Sequence, residues 1–280
     1  MSNIIIRPND SISIKHRIKD VWESRYLCYL LIKRNIAIYY KQTILGPLWF
    51  IIQPIFTTVV FVFVFNKIGK IDTGEIPPPL FYMFSTIMWS YFSESLGKVA
   101  LTFNSNAGLF SKVYFPRFVL PISITMTNLF KMGIQLILLA FILFIISINS
   151  NLHFNISINY LILFPVFLIH FTMLSLGLGM LICSWTTKFK DFNHMVGFGL
   201  RLMMFISPVI YPLSTVPEKM KIFLFYNPLT VPIEGARNIF MQTSYLSKEM
   251  VLYSFITTFI IFFIGFKFFT KTESRFIDTI

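Results

Sequence analysis

Few side chains in this sequence could do chemistry, and those that could sit in apolar company. Glu94 and Lys98 lie four residues apart inside one apolar run, Lys131 lies inside a second, and Arg201 inside a third. A four-residue spacing places Glu94 and Lys98 on one helix face, where they can pair. Ionisable groups among apolar residues are costly and are default candidates for a substrate or ion path. A guanidinium such as that of Arg201 suits bidentate phosphate binding, or it can reach back to a headgroup layer. Hydrolysis and group transfer find little to use. The sequence contains no G-x-x-x-x-G-K-[ST] run that would cradle ATP phosphates, and no H-E-x-x-H. His16, His153, His170 and His194 are dispersed, with no cysteines at metal-ligand spacing beside them. His170 is read as a hydrogen-bonded interior histidine rather than a catalytic base. Cys28 and Cys183 are far apart and suggest no disulfide framework.

The elements that must position these groups follow from composition. The 280 residues are 55% hydrophobic, 18% aromatic and only 13% charged, about half the charge of an ordinary soluble domain. Apolar runs long enough to cross a hydrocarbon layer of about 30 Å recur along the chain. Inside lipid the backbone must satisfy its own hydrogen bonds, so helices are expected. The ~10-residue alternation of a membrane β-barrel is absent. The expected fold is all-α integral membrane, with six transmembrane helices at about 44–65, 80–101, 118–148, 158–185, 195–213 and 250–269. These spans form one domain, 44–270, between an N-terminal segment 1–43 and a tail 271–280. The opening stretch MSNIIIRPNDSISIKHR lacks the apolar centre and cleavage site of a secretory signal.

An even number of spans puts both termini on one side. That side holds the cations before the first span, Lys112 and Arg117, Lys188 and Lys190, and Lys267, Lys271 and Arg275. Fewer lie opposite: Lys67, Lys70, Lys219, Lys221, Arg237 and Lys248. The bias places both termini in the cytoplasm. The net charge of +12 is therefore read as flanking of spans, because the cations do not gather in one nucleic-acid-binding patch.

Three segments fall outside plain spans. Ile18–Thr43 has Val21, Trp22, Tyr26, Tyr29, Ile32, Ile36 and Tyr40 on one arc and Asp20, Glu23, Arg34 and Lys41 on the other. It is expected to be an amphipathic helix lying in the inner interface. The stretch 211–244 is too broken by prolines for a span, and two short re-entrant outer helices between spans five and six would fit it. The cytoplasmic loop Lys112-Val113-Tyr114-Phe115-Pro116-Arg117, with Pro121 after it, is a poor catalyst and good docking material. Tyr114 and Phe115 would fill a partner's cleft, Lys112 and Arg117 would orient it, and the prolines would stiffen the loop. An ordinary interfacial turn with flanking cations accounts for it equally well.

That loop resembles the cytoplasmic loop of ABC-2 type permeases that export bacterial polysaccharides. Three further stretches agree in order: Tyr40-Lys41-Gln42-Thr43-Ile44-Leu45-Gly46-Pro47-Leu48-Trp49, then Ser207-Pro208-Val209-Ile210-Tyr211, then Asn227-Pro228 with Glu234 and Arg237 behind. Together they cover nearly the whole chain from about residue 20. The sequence departs from the family at Tyr39, where an arginine is usual before the tyrosine matching Tyr40. The resemblance implies a homodimeric channel in the bacterial inner membrane, with two copies of a separate ATPase that binds ATP and Mg. It implies that a polyprenyl-pyrophosphate-linked glycan is the cargo, O-antigen of lipopolysaccharide first, with capsule or teichoic acid as alternatives. It further implies that Lys112–Arg117 couples to the ATPase. Tyr40, Lys41, Leu45, Gly46, Trp49 and Arg201 would line the substrate access gate. Pro208, Tyr211, Asn227, Pro228, Glu234 and Arg237 would form the outer gate. No catalytic residue, metal or resident cofactor is expected in this chain. An ABC-2 exporter of drugs or lipids, or a membrane-embedded transferase, are the rival readings.

Overall fold

The computed structural model describes residues 14–41, 44–74, 76–110, 115–150, 158–241 and 246–277. Among them every regular element is helical. Helices α1 (Ile14–Glu23) and α2 (Arg25–Tyr40) precede a single 3-10 turn, Gly46–Leu48, which leads into α3 (Trp49–Phe61) and a π-helical stretch, Val62–Ile68. Next come α4 (Pro78–Ala100), the short α5 (Thr102–Ser105) and α6 (Ala107–Phe110), and the long α7 (Val119–Ser150) and α8 (Ile158–Thr186). The chain continues through α9 (Phe192–Ile206), α10 (Glu218–Tyr226), α11 (Thr230–Met241) and α12 (Lys248–Ile277).

Four of these stretches are long and apolar enough to cross a membrane: Gly46–Ile68, Val119–Ile148, Ile162–Thr186 and Lys248–Glu273. The protein is an integral membrane protein. Its lipid-facing character shows in large side chains that stay exposed along α3, α7 and α12, among them Phe56, Phe63, Phe141, Phe144, Phe259 and Phe268. Such exposure is costly in water and costs little against hydrocarbon. Helix α4, expected as the second span, is different. Its 23 residues would reach roughly 34 Å at about 1.5 Å per residue, but Ser85, Thr86, Glu94, Ser95 and Lys98 make it less apolar. Polar groups are tolerated because the helix runs through the middle of the bundle, with Phe81, Tyr82, Ile87, Met88 and Phe92 fully buried. It packs against α3, α7, α8, α9 and α11.

The fifth expected span, 195–213, is shorter than its apolar run. Helix α9 has 15 residues and stops at Ile206. The cause is Pro208: the residue before a proline is pushed out of helical geometry, and Ser207 is extended, with ψ 155°. The chain then continues as a buried turn through Ser207, Pro208, Val209 and Ile210.

The expected continuous interface helix is broken at Ser24 into α1 and α2, and the aromatic arc expected at the headgroups is left outside the protein core. Trp22, Tyr26 and Tyr29 are exposed, while Leu31 is buried and Val21, Leu27 and Cys28 are half-buried. These four pack with Phe115, Val119, Leu120 and Leu109, because the start of α7 comes up beneath α2. The two short helices expected between the fifth and sixth apolar runs are present as α10 and α11. Helices α8 and α12 make the closest pairing. A Cβ at Gly177 would lie 2.7 Å from the Phe262 Cα, so only glycine lets the two backbones approach this far.

Candidate functional site

Two polar clusters are built on α4, one toward each end. The first gathers the ionisable groups singled out in the sequence. Glu94 and Lys98 pair on one face of α4, Nζ to Oε2 at 3.3 Å. Lys131, nearly buried on α7, donates to the other oxygen of the same carboxylate. Lys98 also donates to the Tyr39 hydroxyl at 2.7 Å and to the Asn128 carbonyl oxygen at 3.3 Å. Asn128 in turn donates to Ser95 Oγ at 3.0 Å. Both lysines lie near aromatic faces, Lys98 at 5.4 Å from the Tyr39 ring centroid and Lys131 at 5.7 Å from that of Phe50. Tyr39 and Phe50 meet edge to face with centroids 5.0 Å apart. The cluster thus ties α2, α3, α4 and α7 together. Lys131 and Glu94 are 37 residues apart, and nothing local in the sequence announces their contact.

The second cluster contains the six residues expected at the outer gate, and the structure brings them together. Arg237 on α11 is buried. It donates to Glu234 Oε1 at 2.9 Å, to Ser85 Oγ on α4 at 2.7 Å and to the Pro208 carbonyl at 2.7 Å. Its guanidinium stacks 4.0 Å over the Phe81 ring. Glu234 also accepts from the Leu213 amide at 3.1 Å. Asn227 caps its own turn by accepting from the Leu229 amide, and it donates to Ser207 Oγ at 3.2 Å. The Tyr211 hydroxyl donates to the Phe205 and Ile206 carbonyls at 3.3 Å. Those carbonyls end α9 and have no partner within the helix, so Tyr211 supplies what the early stop at Ile206 leaves unsatisfied. Pro228 offers its carbonyl to Ser254 Oγ of α12 at 2.9 Å. His170, read as an interior histidine, is buried beside this region and shares Nε2 with Thr258 Oγ1 at 2.8 Å.

The residues expected at the access gate are less gathered. Gly46 is buried with φ +47°, a conformation glycine adopts freely, and it starts the turn into α3. Leu45 and Trp49 are exposed on either side, and Lys41 is exposed at the end of α2. Only the backbone of Tyr40 is described. Arg201 is exposed on α9, which packs on α4 and α8, and it makes no hydrogen bond or ion pair among the described residues.

In the predicted coupling loop, Lys112, Val113 and Tyr114 lie outside the described residues. The remainder corrects the expectation of exposed anchors. Phe115 is 7% exposed and packs under α2 with Leu31 and Leu120. Arg117 is 8% exposed. Its guanidinium donates to the Glu273 carbonyl of α12 at 3.0 Å, and its amide to Glu273 Oε1 at 3.4 Å. The C-terminal end of the loop is therefore tied to α2 and α12. Its apolar ring sits on an inward register of the turn, and its cation caps carbonyls late in a helix. The sequence carried a weak signal for this, an acid at Glu273 among the cations that close α12.

Comparisons with known proteins agree on the class. Residues 26–241 match the family model described as ABC-2 type transporter. The O-antigen export system permease protein RfbA of Klebsiella pneumoniae is 26% identical over 253 residues, covering 90% of this chain and 94% of that protein. A permease of the same name from Myxococcus xanthus is 28% identical over 228 residues, 80% of this chain and 84% of its own length. The polysialic acid transport protein KpsM of Escherichia coli is 25% identical over 244 residues, 87% and 92% of the two chains.

Proposed function

This chain belongs to the ABC-2 type transporter family, and from that premise we propose that it is the membrane subunit of an ATP-driven polysaccharide exporter, with O-antigen as its first cargo. The observation that carries the reading is the likeness to O-antigen export permeases across nine-tenths of both chains. The likeness to a polysialic acid transport protein keeps a capsule-type glycan as the second reading.

On this proposal two copies form the channel in the bacterial inner membrane, and two copies of a separate ATPase bind ATP and Mg. The cargo hangs from a polyprenyl pyrophosphate. The four long apolar helices are joined by α4 and by α9 with its following turn to make six crossings. Helices α10 and α11 dip into the outer leaflet, and both termini face the cytoplasm. Tyr40, Lys41, Leu45, Gly46 and Trp49 border the access gate, and Arg201 offers a phosphate contact. The Arg237 cluster holds the outer gate. Docking falls to Lys112–Tyr114, while Phe115 and Arg117 carry the ATPase stroke into α2 and α12. Groups of this kind bind, gate and transmit. The relatives that carry the reading are transport permeases, which supports a transport role.

The test is export in a strain that assembles the glycan but lacks its own permease. This chain together with its ATPase should place glycan on the cell surface, and either alone should leave it inside. Glycan retained in the cytoplasm with both proteins present and assembled would refute the proposal.

A further inference from the structure

A cavity of about 360 Å³ lies between α2, the C-terminal end of α4, α5 and the start of α7. Its polar side is formed by Arg34, Tyr39, Lys98 and Asn128, and its apolar wall by Ile38, Leu101 and Ile124. Lys131 stands behind Lys98, joined to it through Glu94. Three cations thus converge on one side. Among the described residues, Glu94 is the carboxylate that pairs with any of them, and one carboxylate shared by two lysines neutralises one charge. Among the described residues, Arg34 bonds to its neighbour Asn35 alone, at 3.2 Å. An excess of positive charge at a half-enclosed, partly apolar site favours an anionic partner.

We infer that this cavity binds the phosphate headgroup of an anionic lipid, with the hydrocarbon chain lying along Ile38, Leu101 and Ile124. The Lys98 contacts to Glu94 and Asn128 are each 3.3 Å, long for a charged donor, whose bonds to oxyanions run about 2.7–2.9 Å. A phosphate oxygen can take either donor without breaking the 2.7 Å bond to Tyr39. Arg34 lies along the same wall and supplies a planar fork suited to phosphate. The inference rests on the reading of the chain as a membrane permease. It extends that reading to a lipid-phosphate site distinct from the access residues Tyr40, Lys41, Leu45, Gly46, Trp49 and Arg201. The phosphate can belong to a bulk phospholipid or to a polyprenyl pyrophosphate, since both present the same oxyanion on a long chain.

The test is native mass spectrometry of the full-length permease in detergent, titrated with phosphatidylglycerol, with phosphatidylcholine of the same chains, and with undecaprenyl pyrophosphate. Wild type is expected to retain phosphatidylglycerol over phosphatidylcholine. Arg34→Gln and Lys98→Gln should each weaken that retention roughly tenfold, the size of one charged hydrogen bond. Lys19→Gln, at an exposed cation paired with Glu23, should leave it unchanged. Arg34→Gln guards against misfolding, since Arg34 is exposed and, among the described residues, bonds to its neighbour alone. Displacement of phosphatidylglycerol by undecaprenyl pyrophosphate in wild type, but not in the variants, assigns the site to the carrier. Absence of displacement assigns it to bulk lipid. Retention unchanged within twofold in both variants, or no preference over phosphatidylcholine, overturns the inference. Glycan export by cells that carry the same variants together with the ATPase separates the two readings: a lost site with intact export leaves the transport proposal standing.

Discussion

Arg237→Ala is the most demanding test of the α11–α4 cluster. The wild-type guanidinium is buried, reaches Glu234, Ser85 and Pro208 within 2.9 Å, and stacks on Phe81. Its removal leaves the Glu234 carboxylate, only 5% exposed, with the Leu213 amide and no counter-charge. Removing one partner of a buried ion pair costs about 3–5 kcal/mol, because the other charge stays behind. At about 2–4 °C per kcal/mol for a chain of this general size, the thermal midpoint in detergent should fall by about 10 °C. Pairing the change with its partner makes the test specific. Arg237→Met with Glu234→Gln removes both charges, keeps similar bulk, and should recover more than half of the loss. A midpoint for Arg237→Ala within about 2 °C of wild type, or a double variant no better than the single one, would refute a buried ion pair as the element that holds α11 on α4.

The other predictions concern the cytoplasmic loop, the interface helix and α4 itself. Phe115→Ala removes a buried ring from beneath α2 and should cost about 3–5 kcal/mol, seen as a lower midpoint; a midpoint equal to wild type would mean Phe115 is an exposed docking anchor after all. Arg117→Ala should leave ATPase binding intact in a pull-down while lowering glycan export per ATP hydrolysed, and equal losses of binding and export would defeat a transmitting role. Burial pushes the Cys28 thiol above its ordinary 9.0, so the protonated form is favoured in the folded chain. Maleimide labelling of Cys28 should therefore be slower in the folded chain than in the denatured one at the same neutral pH, whereas equal rates would contradict the packing of α2 on α7. Finally, Glu94→Gln and Arg237→Lys should be non-additive in stability by more than about 0.5 kcal/mol; strict additivity would mean that α4 does not couple its two clusters.

Much of the architecture was legible because membrane helices announce themselves through continuous apolar runs, which need no knowledge of tertiary neighbours. The boundaries were less legible where tertiary need competes with hydropathy. The apolar run after Met195 continues past Ile206, yet Pro208 stops the helix, and Tyr211 and Asn227 then satisfy the end that this exposes. The pairing of Glu94 with Lys98 followed from a four-residue spacing. The joining of Lys131 and Tyr39 to that pair did not, because contacts between distant helices leave no local trace. The interface helix was legible on one face alone. Its aromatic arc, expected to meet headgroups, stays outside the protein core at Trp22, Tyr26 and Tyr29, whereas the face that packs on protein is decided by where α7 arrives, under Leu27 and Leu31. The loop at 112–117 read as a surface feature because its proline and cations are surface residues by habit. Arg117 instead turns inward, because Glu273 offers both a carboxylate and a carbonyl late in α12.

The placement of both polar clusters on α4 has a mechanical consequence. Ser85 and Glu94 lie roughly 13–14 Å apart along the helix at about 1.5 Å per residue, and Ile87, Met88 and Phe92 between them are fully buried. A helix packed this tightly has no rotamer slack to absorb a local displacement, so it shifts as a unit or not at all. Helix α2 bears on one end of it through Tyr39 and Lys98, and α2 is also the helix under which Phe115 is lodged. At the other end, Arg237 fixes Ser85 to the Pro208 turn and to α11. A push on the loop near Phe115 therefore has a continuous path of packed and hydrogen-bonded groups to the segment that closes α9. Lipid-facing helices such as α7 and α12 could not carry that path alone, because their outer faces meet a fluid. Glu94, Lys98 and the Ser85 that Arg237 reaches sit on α4, a helix buried in protein over most of its length, where polar bonds can be kept dry, directional and connected.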